Sequence, residues 1–393
     1  MEMMVIPGID WNNTFSSFFI LLVALVGVYS WAVPQGGRRW WFFALLMAAL
    51  VIAALQPVTE LARMLLLDAA AFAAVALVGN QTPAATKAAR TYLWLLVVAV
   101  LCITTGLYLS GVLSGEAAAQ PGAAQTKLIV GLLVVGFALK LALIPFYFWL
   151  PSVAQTTSPM TTALIVGVVD IAEFSELAGL RTAVTWAFEG YQTLWLTLAL
   201  ASMFGGALLA LAQRDLKRML AFSTIDDMGY LLLGVLVGTN LGLTGAMVGA
   251  LSHALFKVLL FGALGVAEKG SGGPITLDSQ GLASRYPISG AAFIVGALGM
   301  IGIPPLFGFV GRWRLYLSGI QYGGLPLILA MAVATGLALF YYVRAIHQVW
   351  FGEPQTSPVT AISEPKVASI VLGILIAVAL LFGLFPGLLF GQV

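Results

Sequence analysis

Apolar windows of about 18 to 25 residues, the length needed to cross a bilayer as a helix, recur along this chain. They lie near 15–33, 40–57, 61–79, 91–113, 127–150, 160–180, 192–212, 219–238, 243–266, 288–311, 323–347 and 367–389. The pattern predicts an all-α polytopic membrane protein with about 12 transmembrane helices. The longest polar intervals, 268–287 and 351–366, are rich in Gly, Ser and Pro and too short to fold alone. Residues 1–393 therefore read as a single membrane domain, with N-terminal helices over 15–57, a first repeat over 61–180, a second over 192–350 and a C-terminal helix over 367–389.

Two windows break the pattern. In GLLVVGFALKLALIPFYFWLPSVAQTTSP, 131–159, Lys140 sits in the middle of an apolar run that also carries Pro145 and Pro151. A charge at mid-membrane costs several kcal/mol unless it is paired or faces a water-filled cavity, so such a residue marks a functional site by default. Pro145 removes a backbone hydrogen bond a turn later, which predicts a broken helix. In LGMIGIPPLFGFVGRWR, 298–314, Gly302, Pro304 and Pro305 interrupt a second helix, and Arg312 follows. The second break lies five windows after the first, an odd offset that turns the second segment over relative to the first. Paired interrupted helices in two halves predict two inverted repeats of about five helices, each with a broken helix and an ion site near the midplane.

Composition narrows the class. With 61% hydrophobic and 9% charged residues and a mean hydropathy of +1.01, the chain lies with polytopic membrane proteins. One cysteine, Cys102, and two histidines exclude an intrachain disulfide and argue against a metal or haem centre built by this chain alone. The first residues, MEMMVIPGIDWNN, lack the basic start of a cleavable signal. No nucleotide-binding glycine motif or basic aromatic patch for nucleic acid is present. Of the 18 Lys and Arg residues, Arg38, Arg39, Lys87, Arg90, Arg214, Lys217, Arg218, Lys269, Arg285, Arg344 and Lys366 fall in alternate loops. Only Arg63, Lys127 and Arg181 fall in the others, which places the N-terminus outside.

Depth gathers the buried charges. At 1.5 Å per residue, Lys140, Asp68 and Asp170 each lie about 15 Å from the inner ends of their helices. In the second half, His253 and Lys257 share one face of a helix at i and i+4. Asp170, Glu173 and Glu176 give another helix a partly acidic face. Each charge has a plainer reading as a structural ion pair or a side chain snorkelling from a helix end. A Lys140–Asp170 contact is expected because their helices are consecutive and joined only by 151–159; the same acidic face offers hard oxygen ligands for sodium.

The runs ALKLALIPFYFWLP, SP at 158–159, RDLKRMLAFSTIDDMGYLLLG, TGAMVGALSHALFKVLLFGALG and GIPPLFGFVGRW, in that order and spacing, resemble the antiporter-like membrane subunits of respiratory complex I and the related multisubunit cation/proton antiporters. The resemblance covers about 60–352. DIAEF and GFVGRW make it similar to the subunit-N type of proton-translocating NADH-quinone oxidoreductase subunit. It implies that the two repeats are half-channels, that Lys140 is the central proton-carrying lysine of the first, and that Asp68 stands for a glutamate paired with it. It further implies that His253 and Lys257 belong to the connecting helix and that Arg312 stands for the terminal lysine or glutamate of the second half.

Departures from the family pattern are Asp170 in place of a basic residue, Asp227 in place of a histidine and Arg312 in place of a titratable lysine. Arginine is effectively never deprotonated in proteins, so Arg312 sets a field and is a poor proton carrier. The function expected is that of a proton-translocating, non-catalytic membrane-arm subunit of a complex I-like NADH or ferredoxin:quinone oxidoreductase. It would hold no cofactor, with other membrane subunits as partners, in the plasma membrane of a prokaryote. Three readings compete: a subunit of a multisubunit Na+/H+ antiporter, favoured by the acidic face; a subunit of a membrane-bound hydrogenase; and a structural subunit that has lost transport.

Overall fold

The structure, a computed structural model, describes residues 10–115, 120–353 and 364–390. The first nine residues, on which the reading of the leader rests, and most of the 351–366 interval lie outside them. In chain order the helices are α1 Trp11–Ala32, α2 Arg38–Ala54, α3 Glu60–Gly79, α4 Pro83–Leu109, α5 Ala123–Lys140, α6 Trp149–Thr156, α7 Pro159–Leu164, α8 Asp170–Ala183, α9 Thr185–Glu189, α10 Gln192–Leu211, α11 Leu216–Val237, α12 Asn240–Ser271, α13 Leu282–Arg285, α14 Pro287–Ile301, α15 Phe307–Ala345, α16 Lys366–Leu384 and α17 Gly387–Phe390. A single turn of 3-10 helix, Val112–Ser114, follows α4.

Every predicted window holds a helix. Among the described residues nine continuous helices are long and apolar enough to cross a membrane. The other crossings are α2, with 17 residues, the α7–α8 pair joined through a π-helical turn at Ile165–Val169, and the 15-residue α14 completed by the start of α15. Helix α15 bends at Gly324, where φ is +60°, just before Pro326, so that its first part completes the α14 crossing and its second part makes a crossing of its own. Asp10, Thr59, Thr82, Asp215 and Thr239 cap α1, α3, α4, α11 and α12 by accepting a backbone N–H of the first turn.

Helices α11 and α12 are enclosed along their whole membrane-spanning lengths, whereas α4, α15 and α16 bury a third or less of theirs. A helix apolar on all sides and surrounded by others belongs at the centre of a bundle. The rim turns large apolar side chains outward, among them Trp31, Trp94, Tyr108, Leu329 and Phe340, as a lipid-facing surface requires. Close approach at the centre depends on glycine. A Cβ on Gly229 would lie 2.6 Å from the carbonyl oxygen of Ala199, and one on Gly206 would lie 2.4 Å from the amide nitrogen of Asp226, both across the α10–α11 contact.

Candidate functional site

The two helix breaks are copies of one another. Helix α5 ends at Lys140, and the chain enters the left-handed region at Ala142, φ +52°; helix α14 ends at Ile301 and does the same at Gly302, φ +87°, 160 positions later. The Leu143 amide donates back to the Ala138 carbonyl at 2.9 Å, and 160 positions on the Ile303 amide donates to Leu298 at 3.0 Å. This is the helix end in which a left-handed residue satisfies the last carbonyls, followed by a proline that cannot continue the helix. Pro145 and Pro305 hold equivalent places. Lys140 is therefore the last residue of its helix, not a residue one turn before a kink. Its counterpart is Met300.

The missing charge at Met300 is supplied from α15: Arg312 Nη2 donates to the Met300 carbonyl at 2.9 Å. Gly302 makes this return possible, since a Cβ there would meet Arg312 Cβ at 2.8 Å. Gly302→Ala combines that contact with a left-handed backbone and is expected to destabilise the protein by about 1–2 kcal/mol, read as a lower midpoint of thermal unfolding in detergent; an unchanged midpoint would show that the turn relaxes freely.

In the first half, the Lys140 ammonium is buried and donates to Asp68 Oδ1 at 2.6 Å. It also lies 3.2 Å from Glu173 Oε1. Asp68 comes from α3, Lys140 from α5 and Glu173 from α8, so three helices meet on one ammonium group. The expected Lys140–Asp68 pair forms, but the expected contact with Asp170 does not. Asp170 is buried with neither carboxyl oxygen hydrogen-bonded, and a Glu176 oxygen nearby is in the same state. Two physical reasons shift the partner by one turn. The residues after Lys140 are turns and not helix, so depth counted at the helical rise does not hold across them. The π turn before Asp170 also re-aims every side chain after it. One ammonium thus shares the site with four carboxyls, Asp68, Asp170, Glu173 and Glu176, and the charge of the cluster depends on how many protons it holds. Among the described residues no group of three or more His, Cys, Asp or Glu is placed to hold a metal ion.

In the second half, Asp227 on α11 is the centre. Its Oδ1 accepts from Arg312 Nη2 at 2.6 Å, and its Oδ2 lies 2.7 Å from His253 Nδ1. The guanidinium also stacks over the Tyr230 ring, 3.7 Å from its centroid. Lys257 does not join this ion pair, although it shares a helix face with His253. It donates instead to the Leu220 carbonyl at 2.9 Å and to Ser223 Oγ at 2.6 Å. Expectation and structure therefore agree that His253, Lys257 and Arg312 are buried in one half, but the residues joining them, Asp227 and Ser223, were legible only as a departure from a motif and as part of one. Tyr341 and Tyr342, which reach Asp226 and Ser223 at 3.1 Å and 3.2 Å, carried no sequence signal beyond their position in an apolar run.

The family model described as NADH:quinone oxidoreductase/Mrp antiporter, TM, matches residues 84–338. The chain belongs to this family. The NADH-quinone oxidoreductase subunit N 2 of Acidobacterium capsulatum is 34% identical over 288 residues, 70% of this chain and 58% of the relative. The chain spans just over half the length of the curated relatives it matches. Among solved structures, a chain of respiratory complex I from Thermus thermophilus superposes with a TM-score of 0.84 at 24% identity, over 100% of this chain and 86% of that one. A chain of the Mrp complex from a Dietzia species does so with a TM-score of 0.85 at 21% identity, over 96% of this chain and 82% of that one. At these identities the structural likenesses establish the fold of the family member. It is an integral membrane protein, in keeping with its nine long apolar helices and with the transmembrane family model.

Proposed function

We propose that this chain is a proton-translocating membrane-arm subunit of a complex I-like NADH or ferredoxin:quinone oxidoreductase in the inner membrane of a prokaryote. The observation that carries the reading is a buried lysine at the end of a half-helix, held by carboxyls from two other helices. An ammonium in that setting exchanges a proton when a partner moves, because each contact made or lost changes the balance between its two protonation states. Lys140 is then the proton carrier of the first half, with Asp68 and Glu173 as the carboxyls that tune it and Asp170 as a further buried acid beside them. His253 and Lys257 line the connecting helix, and Arg312 sets the field of the second half. Electron transfer belongs to other subunits of the complex, and this chain works by electrostatic coupling along the row of buried charges.

A second reading, a subunit of a multisubunit cation/proton antiporter, is favoured by the surplus of carboxyls around Lys140. The test is proton uptake into inverted membrane vesicles containing the complex. Uptake driven by NADH or reduced ferredoxin supports the proposal, whereas collapse of a pH gradient on adding sodium, with no response to either donor, supports the antiporter. Within either assay, Glu173→Gln is expected to lower transport more than Asp170→Asn, because only Glu173 touches Lys140. The opposite ranking would return Asp170 to the role expected from sequence.

A further inference from the structure

On the proton-translocating reading the second half holds a proton carrier, and Arg312 cannot be it, because a guanidinium does not take up and release a proton. Its partner Asp227 is no better placed: both oxygens are engaged, one by Arg312 and one by His253, so a proton added there disturbs one of those two contacts. The residue before it is free of that restriction. Asp226 is buried on α11, accepts one hydrogen bond from the Tyr341 hydroxyl at 3.1 Å through Oδ2, and leaves Oδ1 buried without a partner. It makes no ion pair within contact distance among the described residues, so a proton passed to Oδ2 by the Tyr341 hydroxyl breaks no charged contact.

We infer that Asp226 is the proton-carrying residue of the second half, taking the part that Arg312 cannot play. The inference rests on the proton-translocating reading above and deepens it. The charged and titratable groups around Asp226 are Asp227 and Tyr230 on its own helix, Lys257 on α12, and Arg312, Tyr341 and Tyr342 on α15. Helix α10, which packs on its backbone through Gly206, brings no charged side chain.

Those neighbours provide a source for the proton. Lys257 Nζ donates to Ser223 Oγ at 2.6 Å, Ser223 Oγ donates to the Leu220 carbonyl at 2.8 Å, the Tyr342 hydroxyl reaches the same Oγ at 3.2 Å, the Tyr342 and Tyr341 side chains lie within hydrogen-bond reach of one another, and the Tyr341 hydroxyl ends the series on Asp226. Once the Ser223 hydroxyl turns from the Leu220 carbonyl to Tyr342, and the Tyr342 hydroxyl turns from Ser223, to which it donates in the resting arrangement, towards Tyr341, the Lys257 ammonium gives a proton to Ser223 while Ser223 passes its own to Tyr342. Tyr342 then passes its own to Tyr341, and Tyr341 passes its own to Asp226. The sum is one proton moved from an ammonium, which becomes an amine, to a carboxylate, which becomes an acid. The three hydroxyls end as they began. Two opposite charges vanish together, so the step leaves the net charge of this buried region unchanged.

The experiment is Asp226→Asn in the intact complex. Asparagine keeps the size and an oxygen for the Tyr341 hydroxyl, so assembly is expected to survive and driven proton uptake to be lost, with Asp226→Glu retaining uptake. Infrared difference spectra during turnover are expected to show a carboxylic acid carbonyl band that shifts in Asp226→Glu. Wild-type uptake in Asp226→Asn, in preparations where Lys140→Ala fails, overturns the inference and leaves the transport reading standing. Wild-type uptake in Lys140→Ala overturns the transport reading itself. If Asp226→Asn does not assemble, the spectra decide: a turnover band that shifts in the glutamate variant supports the inference, and no carboxylic acid band at all overturns it.

Discussion

Lys140→Ala is expected to abolish driven proton uptake while leaving the complex assembled. The loss is expected because, among the described residues, no other cation lies against Asp68 or Glu173 in the first half, so the site would keep its carboxyls and lose the proposed carrier. Assembly is expected to survive because the break is held by other contacts. The Trp149 indole N–H donates to the Leu139 carbonyl at 2.9 Å, and Trp149 stacks on Tyr92 with ring centroids 4.1 Å apart. The end of α5 therefore stays in place without the lysine side chain. Lys140→Arg separates charge from proton exchange: it preserves the cation and is expected to fail as well, since a guanidinium keeps its proton. Dye-monitored acidification of inverted vesicles, set against the amount of assembled complex, measures both variants. Normal acidification by the alanine variant would end the case for Lys140 as a carrier.

The largest expected loss of stability comes from Asp227→Ala. The carboxylate is the shared partner of Arg312 at 2.6 Å and His253 at 2.7 Å, and removing one member of a buried pair strands the other, at a typical cost of about 3–5 kcal/mol. Thermal unfolding in detergent should show a midpoint lowered by several degrees. Arg312→Met added to Asp227→Ala removes the stranded cation and is expected to recover most of the loss, since groups in one network are not additive. If the double variant is as unstable as the sum of the two single ones, the pair is not the unit that holds α11 to α15.

The crossings were legible because hydropathy reports them directly; even the interrupted windows at 127–150 and 288–311 announced themselves through proline. Lys140 and Asp68 were legible as well, since a charge in an apolar run leaves few readings. The register of the breaks was not. It is set by the left-handed backbone at residue 142, and alanine gives no hint of that conformation, although Gly302 does at the second break. The exchange of Asp170 for Glu173 was hidden for a related reason: depth counted at a helical rise fails where the chain stops being helical. The Asp227 bridge depends on α11, α12 and α15 meeting at one point, a tertiary fact that no spacing within a single helix contains. Asp226 was passed over because two adjacent acids on a helix point about 100° apart, and only the packing decides which of them finds a cation.

The complete enclosure of α11 bears on how this protein enters a membrane during synthesis. The helix carries Asp226 and Asp227 near its middle and Lys217 and Arg218 at its start. Each central aspartate opposes insertion of an isolated segment by about 2.5–3.5 kcal/mol, a burden its leucines and valines only partly offset. The guanidinium that neutralises Asp227 lies in α15 and is made much later. Helix α11 is therefore expected to enter lipid as half of a hairpin with α10, the neighbour whose backbone it meets through Gly206 and Gly229 in the folded protein, and to wait in that form for the rest of the chain to supply its counter-charge.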